Sequence, residues 1–161
     1  MKIECTNCDN KKPLKGKKIR KIYDPLISFL TVEAYEYRCP KCGEIYYFYG
    51  DIVKLHKIIV NLLIQKEGFL SGNEIRFLRK HLGYSSEMFA NILGMDLSTI
   101  YRIESKQEHS KTVDNFIRIL VAASLPDRDY SFHDQILRRK KMEGNILISE
   151  KGEISNLSRT A

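Results

Sequence analysis

The chain has 161 residues, of which 43% are hydrophobic, and carries a formal net charge of +7. This length allows one domain or two small ones, and the apolar content is sufficient for a core. The longest apolar runs fall far short of the roughly 18 residues of a membrane-spanning helix, and the N-terminus lacks the apolar stretch of a secretory signal. The sequence therefore predicts a cytoplasmic protein with no membrane span, and its charge is compatible with a polyanionic partner.

All four cysteines lie near the N-terminus as two C-x-x-C pairs, Cys5 with Cys8 and Cys39 with Cys42. Each pair can form a turn that directs two thiolates at one point, and two such turns can complete a tetrahedral site with Zn–S distances of about 2.3 Å. Disulfides, a redox pair and four unrelated cysteines are the alternatives. A cytosolic location argues against disulfides, and a thioredoxin-like motif would need a βαβ context and no second copy. The pattern favours a structural Zn²⁺ ion without an open position for catalysis.

The residues between and after the cysteine pairs have the composition of β-strands. Residues 29–37 and 45–49 are rich in β-branched and aromatic side chains. The basic run over residues 11–21 could contact phosphates or an acidic partner, but a solvated loop and strand edge is the favoured interpretation. Lysines such as Lys41 could partly offset the charge of four thiolates on one divalent ion. Residues 1–50 are thus predicted to form a β-rich zinc-binding domain, which needs the metal because its core is small.

The apolar spacing changes to that of a helix after residue 50. Apolar residues then recur at intervals of three to four, which predicts a helix to about Lys66, ended by Gly68. We interpret residues 51–69 as a linker helix between two domains, with a core-facing stripe favoured over a dimer contact. The residues of that stripe are Ile52, Leu55, Ile58 or Ile59, and Leu62 or Leu63.

Residues 70–125 show the pattern of a compact all-α domain with four short helices. Ser71 followed by Glu74 is a capping box that predicts the start of the first helix. Thr112 is predicted to cap the last helix. The four helices are expected at residues 73–82, 86–93, 97–104 and 113–123. The last is expected to turn inward its apolar residues Val113, Phe116, Ile117, Leu120 and Val121.

The two middle helices are predicted to form a helix-turn-helix. Ser85 can cap the first of them, and Gly94 lies where the chain must turn sharply. Asp96 can cap the second helix, on which Ile100 and Ile103 would face the core. Two helices in this arrangement can present the second one to a DNA major groove. An ordinary helical hairpin is the alternative, because spacing alone does not distinguish the two.

The outer face of the second helix carries the residues that we predict to contact DNA: Leu97, Ser98, Thr99, Tyr101 and Arg102. Arginine can bind guanine O6 and N7 together, and serine can reach bases or phosphates. Ser85 and Ser86 open the preceding helix, whose backbone amides form a natural phosphate site. Because one helix reads few bases, the prediction is a homodimer on palindromic double-stranded DNA. Further phosphate contacts could come from the basic residues Arg76, Arg79, Lys80 and Lys106, although a solvated surface position is the default interpretation for each of them.

This stretch resembles the lambda/Cro-type repressor module over about residues 70–125. The resemblance is carried by Ala90, Gly94, Ser98-Thr99-Ile100 and Arg102-Ile103-Glu104. The chain departs from the family at Ser86, where glutamine is frequent, at Ile103, where tryptophan is frequent, and at Lys106, where glycine is usual. The resemblance implies the fold, but it does not give the operator sequence.

The order of the two halves also resembles a known family. Two C-x-x-C pairs with 30 residues between them, followed by a Cro-type module, are similar to the MqsA family of bacterial antitoxins over about residues 1–125. This resemblance implies that the zinc domain neutralises a partner RNase toxin. It also implies that the helix-turn-helix domain dimerises and represses its own operon. The base-reading positions of the family match Ser98, where asparagine is more usual, and Arg102.

The tail lies outside this resemblance, and residues 126–161 are interpreted as a basic C-terminal extension. Residues 135–142 could form a short helix or a basic arm on phosphates. Residues 145–154 could form a hairpin, or equally a disordered extension that pairs with another chain.

The predicted fold class is two small domains: an N-terminal β-rich zinc-binding domain and a C-terminal all-α lambda-repressor-like helix-turn-helix domain. An antitoxin and autorepressor is the favoured function. A stand-alone zinc-stabilised regulator without a toxin is the alternative, and a zinc-ribbon adaptor without a DNA target is a third. No enzyme is predicted, because the sequence shows no nucleophile–base set, no glycine-rich phosphate loop and no open metal site.

Overall fold

The computed structural model describes residues 3–106, 108–124, 142 and 144–157. The chain divides into two compact units. The sheet unit comprises Met1–Asp24, Ser28–Leu55 and Gly144–Ala161, and the helical unit comprises Pro25–Ile27 and His56–Glu143. The predicted fold class is confirmed, since a strand-rich region with the cysteines precedes a bundle of helices.

The sheet unit is built on one central strand, β2. Its five strands are β1 (Gly16–Ile22), β2 (Leu30–Arg38), β3 (Ile45–Phe48), β4 (Asn145–Ile148) and β5 (Ile154–Leu157). One edge of β2 pairs antiparallel with β1. Along the other edge, β3 pairs antiparallel with the second half of β2, and β4 pairs parallel with the first half. β5 then pairs antiparallel with β4.

The strands predicted at residues 29–37 and 45–49 are confirmed as β2 and β3. Part of the basic run forms β1, an edge strand with exposed lysines, as the favoured interpretation of that run expects. Lys18 on this strand makes an ion pair of 3.0 Å with Glu33 on β2. The Lys18 side chain is 47% exposed and that of Glu33 is 13% exposed, so solvent reaches the pair from the lysine side and its contribution to stability is small.

The hairpin that the sequence left open is formed, by β4 and β5. All three apolar residues of β4, Ile146, Leu147 and Ile148, are buried. A continuous apolar run is typical of a strand in a parallel pair that is covered on both faces. Residues 145–157 of the predicted extension therefore belong to the sheet. The basic arm predicted at residues 135–142 lies outside the described residues, apart from residue 142.

The five α-helices are α1 (Ile52–Gln65), α2 (Gly72–His81), α3 (Ser86–Leu93), α4 (Leu97–Lys106) and α5 (Lys111–Ala123). The stripe predicted for α1 is wrong at Ile52, which is 41% exposed because the first turn of this helix faces solvent. Within the helical unit, the buried residues of α1 are Ile59, Val60, Leu63 and Ile64. Among the described residues, no helix is both long and apolar enough to cross a membrane.

The start of α5 and the residues on its inward face differ from the prediction. Ser110, and not Thr112, caps the helix, and its side chain accepts the N–H of Val113. Phe116, predicted to face inward, is 43% exposed. The reason is that the inward face of α5 is shared with a charged pair at Asp114 and Arg118, which apolar periodicity cannot detect. The buried residues of this helix are Asp114, Ile117, Arg118, Val121 and Ala122.

Asp114 and Arg118 form a fully buried ion pair, with 2.8 Å between Arg118 Nε and Asp114 Oδ2. The remaining guanidinium nitrogens of Arg118 donate to four carbonyl groups at the end of α1, those of Leu63, Ile64, Lys66 and Gly68. The last carbonyls of a helix have no partner within the helix. Arg118 therefore supplies hydrogen bonds to the carbonyl groups at the end of α1 and fixes this end to α5.

Candidate metal centre and nucleic-acid interface

The four cysteine sulfurs form a compact cluster in the sheet unit, and all lie within 4.8 Å of one another. Sγ of Cys5 lies 3.5 Å from that of Cys42 and 3.6 Å from that of Cys8, which lies 3.7 Å from that of Cys39. Sulfurs at about 2.3 Å from a tetrahedral Zn²⁺ ion would lie about 3.8 Å apart. Disulfide sulfurs would lie at about 2.05 Å, and all four cysteines are free. The spacing fits a tetrahedral metal site.

The second cysteine pair occupies the turn between β2 and β3. The N–H of Cys39 donates to the carbonyl of Glu44 at 2.8 Å, and the N–H of Gly43 donates to the carbonyl of Cys39 at 3.0 Å. Gly43 has φ of +77°, a left-handed conformation that glycine adopts without steric cost. Gly43 therefore closes a tight turn directly after the second C-x-x-C pair.

Tyr46 contacts the first cysteine pair from strand β3. Its hydroxyl oxygen lies 3.4 Å from Sγ of Cys5 and accepts the backbone N–H of Thr6 at 2.9 Å. A hydroxyl that accepts from Thr6 can direct its own hydrogen at the sulfur of Cys5. The sequence analysis did not identify this residue, because it lies 41 positions from Cys5 and is brought there only by strand pairing.

Two asparagine side chains connect the cysteine pairs. Nδ2 of Asn7 lies 3.9 Å from Sγ of Cys42, and Nδ2 of Asn10 lies 3.6 Å from Sγ of Cys39. Both asparagines belong to the N-terminal loop, whereas both sulfurs belong to the second pair. These donors favour thiolates and hold the two loops together. Asn7 lies inside the first C-x-x-C, and this position in the sequence already indicates that its side chain is close to the cysteine sulfurs.

The pKa values of Cys39 and Cys8 are shifted in opposite directions. The backbone N–H of Cys42, with that of Lys41, lowers the pKa of Cys39 to about 6. The N–H of Asn10 acts to lower the pKa of Cys8, yet burial and the neighbouring thiols raise that pKa to about 12. Four thiolates at neutral pH therefore require a cation among them. Lys41, expected to offset part of this charge, forms an ion pair with Asp9.

The helical unit contains the predicted helix-turn-helix. The side chain of Ser85 accepts the N–H of Met88 at 3.0 Å and caps α3. Gly94 follows α3 with φ of +65° and ψ of +37°, which is the left-handed conformation. The N–H of Met95 then donates to the carbonyl of Ala90 at 2.9 Å, which completes the turn into α4.

Helix α4 separates a buried face from an exposed one, as predicted. Ile100 and Ile103 are 1% and 2% exposed and face the core. Of the five residues of α4 predicted to contact DNA, four are exposed and Thr99 is half-buried. The exposed four are Leu97, Ser98, Tyr101 and Arg102. The structure thus brings together the predicted residues of α4 on one surface.

Arg79 holds α4 in place and is nearly buried, so both expectations for it, a solvated surface position and a phosphate contact, are wrong. Its Nε and Nη2 donate to the two carboxylate oxygens of Glu104 on α4, at 2.6 and 3.0 Å. Its Nη1 donates to the carbonyl of Tyr84, in the turn before α3, at 2.8 Å. Arg79 and Glu104 are both nearly buried, and the two parallel bonds fix the orientation of α4.

Gly72 allows the first turn of α2 to approach the end of α4 closely. A Cβ atom at this position would lie 2.4 Å from the carbonyl oxygen of Glu104 and 2.7 Å from that of Ile103. Only glycine fits so short a separation between two backbones. The position of α4 therefore depends on Gly72 as well as on Arg79.

Residues 75–123 match the helix-turn-helix family model, over less than a third of the chain. This match indicates a DNA-binding transcription regulator, and α4 is the helix that the geometry presents. No curated protein and no solved structure gives a significant match. The resemblance to the MqsA antitoxins, the toxin partner and the homodimer remain predictions.

Proposed function

We propose that the protein is a transcriptional repressor that binds a palindromic operator as a homodimer through residues 70–125. The observation that carries this proposal is the exposed face of α4, a short helix fixed by the Arg79–Glu104 pair. A rigid helix loses little conformational entropy when it enters a groove, so it can discriminate between bases. Two copies on a two-fold axis would contact half-sites about one helical turn apart.

Each predicted contact residue has a chemical role in this proposal. Arg102 would bind a guanine, because its exposed guanidinium is paired only loosely, at 3.8 Å, with the exposed Glu108. Ser98 would contact a base or a phosphate one turn earlier, and Thr99 would lie at the edge of the interface. Ser85 and Ser86 would place the amides at the start of α3 near a phosphate.

We infer that the cysteine cluster holds Zn²⁺ in a structural role. The sulfur spacing supports a tetrahedral ion, and a set of four thiolates is typical of zinc. When bound, the ion supplies a crosslink between the N-terminal loop and the β2–β3 turn. The proposed site has no protein position left for water, so hydrolytic chemistry is not part of the proposal.

The antitoxin role is the finer part of the proposal. It is supported by the order of the two halves, by the cysteine spacing, and by a sheet unit that is compact without the helical unit. In this role the sheet unit binds a toxin protein while the helical unit binds the operator of the same operon. A stand-alone regulator would have the same helical unit and no such partner.

The DNA-binding part is tested with the full chain and the DNA upstream of its own gene. Arg102→Ala should reduce discrimination between this DNA and a scrambled duplex by about 1–3 kcal/mol. Arg38→Ala is the matched control, because it removes the same charge from an exposed position on the sheet unit. Equal binding of both duplexes by the wild-type chain would contradict the repressor proposal.

The antitoxin part is tested by native purification from the source cells, followed by mass spectrometry. A stoichiometric small basic protein, lost when Cys39 and Cys42 are both changed to serine, is the expected result. A zinc-loaded homodimer that binds DNA and has no partner would overturn the antitoxin role and favour the stand-alone regulator.

A further inference from the structure

The exposed face of α4 has two chemically different sides. Side chains four residues apart are neighbours on a helix, so Leu97 and Tyr101 form an apolar ridge, and Arg102 and Lys106 form a basic one. At 3.6 residues per turn, the small residues Ser98 and Ser105 lie between the two ridges.

The apolar ridge is exposed, although it consists of two large side chains. Leu97 is 37% exposed and Tyr101 is 56% exposed. Leu97 is the first residue of α4, and the N-terminal residues of a recognition helix are those that contact base edges. In the proposed complex this ridge would therefore face the bases and not the phosphates.

Leucine limits what can lie opposite it in a major groove. Its side chain has no hydrogen-bond donor or acceptor, so it would desolvate the polar edge of a base without replacing the lost hydrogen bonds. The C5-methyl group of thymine is the one apolar group that base pairs present in the major groove. A thymine opposite Leu97 would bury methyl against methyl and leave few polar atoms unpaired.

We propose that the Leu97–Tyr101 ridge selects thymine in each operator half-site through its C5-methyl group, beside the guanine bound by Arg102. This inference rests on the proposed DNA-binding function and adds to it the chemical class of one base contact. Leu97 and Tyr101 are thus specificity-determining residues that require no hydrogen bond to the base.

The test begins with the full chain and a library of random DNA duplexes, from which bound sequences are selected. The enriched duplex is then synthesised with deoxyuridine in place of one thymine at a time. This change removes only the methyl group and preserves base pairing. Burial of one methyl is worth about 0.8 kcal/mol, which corresponds to roughly a fourfold rise in Kd for one half-site and roughly 15-fold for both.

Two variants connect this effect to the ridge. For each duplex pair, the Kd of the deoxyuridine duplex is divided by the Kd of the thymine duplex. Leu97→Ala and Tyr101→Ala should each lower this ratio, and at least one should bring it near 1. Met88→Ala is the matched control, because it removes an equally exposed apolar side chain from α3 and should preserve the ratio. The Leu97→Ala chain should still bind the deoxyuridine duplex within about twofold of the wild-type chain, which distinguishes a lost contact from a lost fold.

The possible outcomes separate the inference from the function on which it rests. A fourfold loss with deoxyuridine that disappears in a ridge variant supports the inference. Sequence enrichment with no effect of deoxyuridine at any thymine, or an effect that both ridge variants retain, overturns the inference and leaves the DNA-binding function intact. No enrichment of any sequence overturns the DNA-binding proposal, and the inference with it.

Discussion

The buried pair between α5 and the end of α1 gives the sharpest prediction about stability. Asp114→Asn retains the shape of the side chain and can still accept the N–H of Leu70, which lies 2.7 Å from Oδ1 of Asp114. The change removes the negative charge that faces the fully buried guanidinium of Arg118. Removing one partner of a buried pair costs about 3–5 kcal/mol.

The lower end of that range applies here, because Arg118 also donates to four backbone carbonyls that remain in the variant. We therefore expect a loss of about 3 kcal/mol in the free energy of unfolding. Small domains have about 5–15 kcal/mol in total, so the transition should move to clearly lower urea. Helical circular dichroism during urea unfolding of the full chain measures this loss.

Two control variants test the physical reason for this loss. Glu108→Gln breaks the exposed pair with Arg102 and should cost less than about 1 kcal/mol. Asp114→Leu combined with Arg118→Leu should cost less than the sum of Asp114→Leu and Arg118→Leu alone, since the double change removes both charges of the contact together. A cost for Asp114→Asn as small as that for Glu108→Gln would refute the reasoning.

The stability that Asp114 contributes should depend on pH, and the direction follows from the shift in its pKa. Burial acts to raise the pKa of Asp114, but the N–H of Leu70 and the charge of Arg118 hold it below its usual value. A carboxyl with a lowered pKa in the folded state contributes stability above its unfolded pKa of about 3.9, and this is lost as pH falls through the folded value. The stability of the Asp114→Asn chain should therefore vary less with pH below about 4.

Further predictions concern the metal centre, α4 and two histidines. Removal of the metal with a chelator should expose the sheet unit to proteolysis and leave the helical signal largely intact; resistance of both units would contradict a structural ion. Tyr46→Phe should weaken zinc binding by about tenfold in a chelator competition, whereas Tyr47→Phe, at an exposed position of β3, should not; equal affinities would exclude the proposed hydrogen bond to Cys5. Gly72→Ala should cost at least about 1–3 kcal/mol and weaken DNA binding, because its Cβ would meet the backbone of α4; unchanged urea midpoints would argue against this approach. Burial lowers the pKa of both His56 and His81, so the stability that they contribute above about pH 6.5 should be lost as pH falls below it. His81→Phe should flatten the dependence of the unfolding free energy on pH between 7.5 and 5.5 (roughly the range of histidine titration), and an unchanged slope would contradict this assignment.

Local signals allowed the helix starts and the turn of the candidate interface to be predicted. The capping box at Ser71 and Glu74, the cap at Ser85 and the left-handed Gly94 each depend on a few neighbouring residues. The start of α5 was predicted two residues late, because Ser110 and Thr112 are both good caps and only packing decides between them.

Contacts between residues that are distant along the chain could not be predicted from the sequence pattern. The cysteine spacing predicted the cluster, but Tyr46 reaches Cys5 only through the pairing of β2 with β3. The parallel pairing of β4 with β2 joins residues more than 110 positions apart. Because Arg79 carries a charge, the sequence indicates a surface position for it, and its buried partner Glu104 lies on another helix. Pattern reasoning places charged residues at the surface unless a partner is known.

The measurement that tests the central claim most directly is a hydroxyl-radical footprint of the full chain on the DNA upstream of its own gene. We expect two protected patches on one side of the duplex, about one helical turn or 34–36 Å apart, that both disappear with Arg102→Ala and persist with Arg38→Ala. Uniform protection, or protection that survives Arg102→Ala unchanged, would contradict sequence reading by α4.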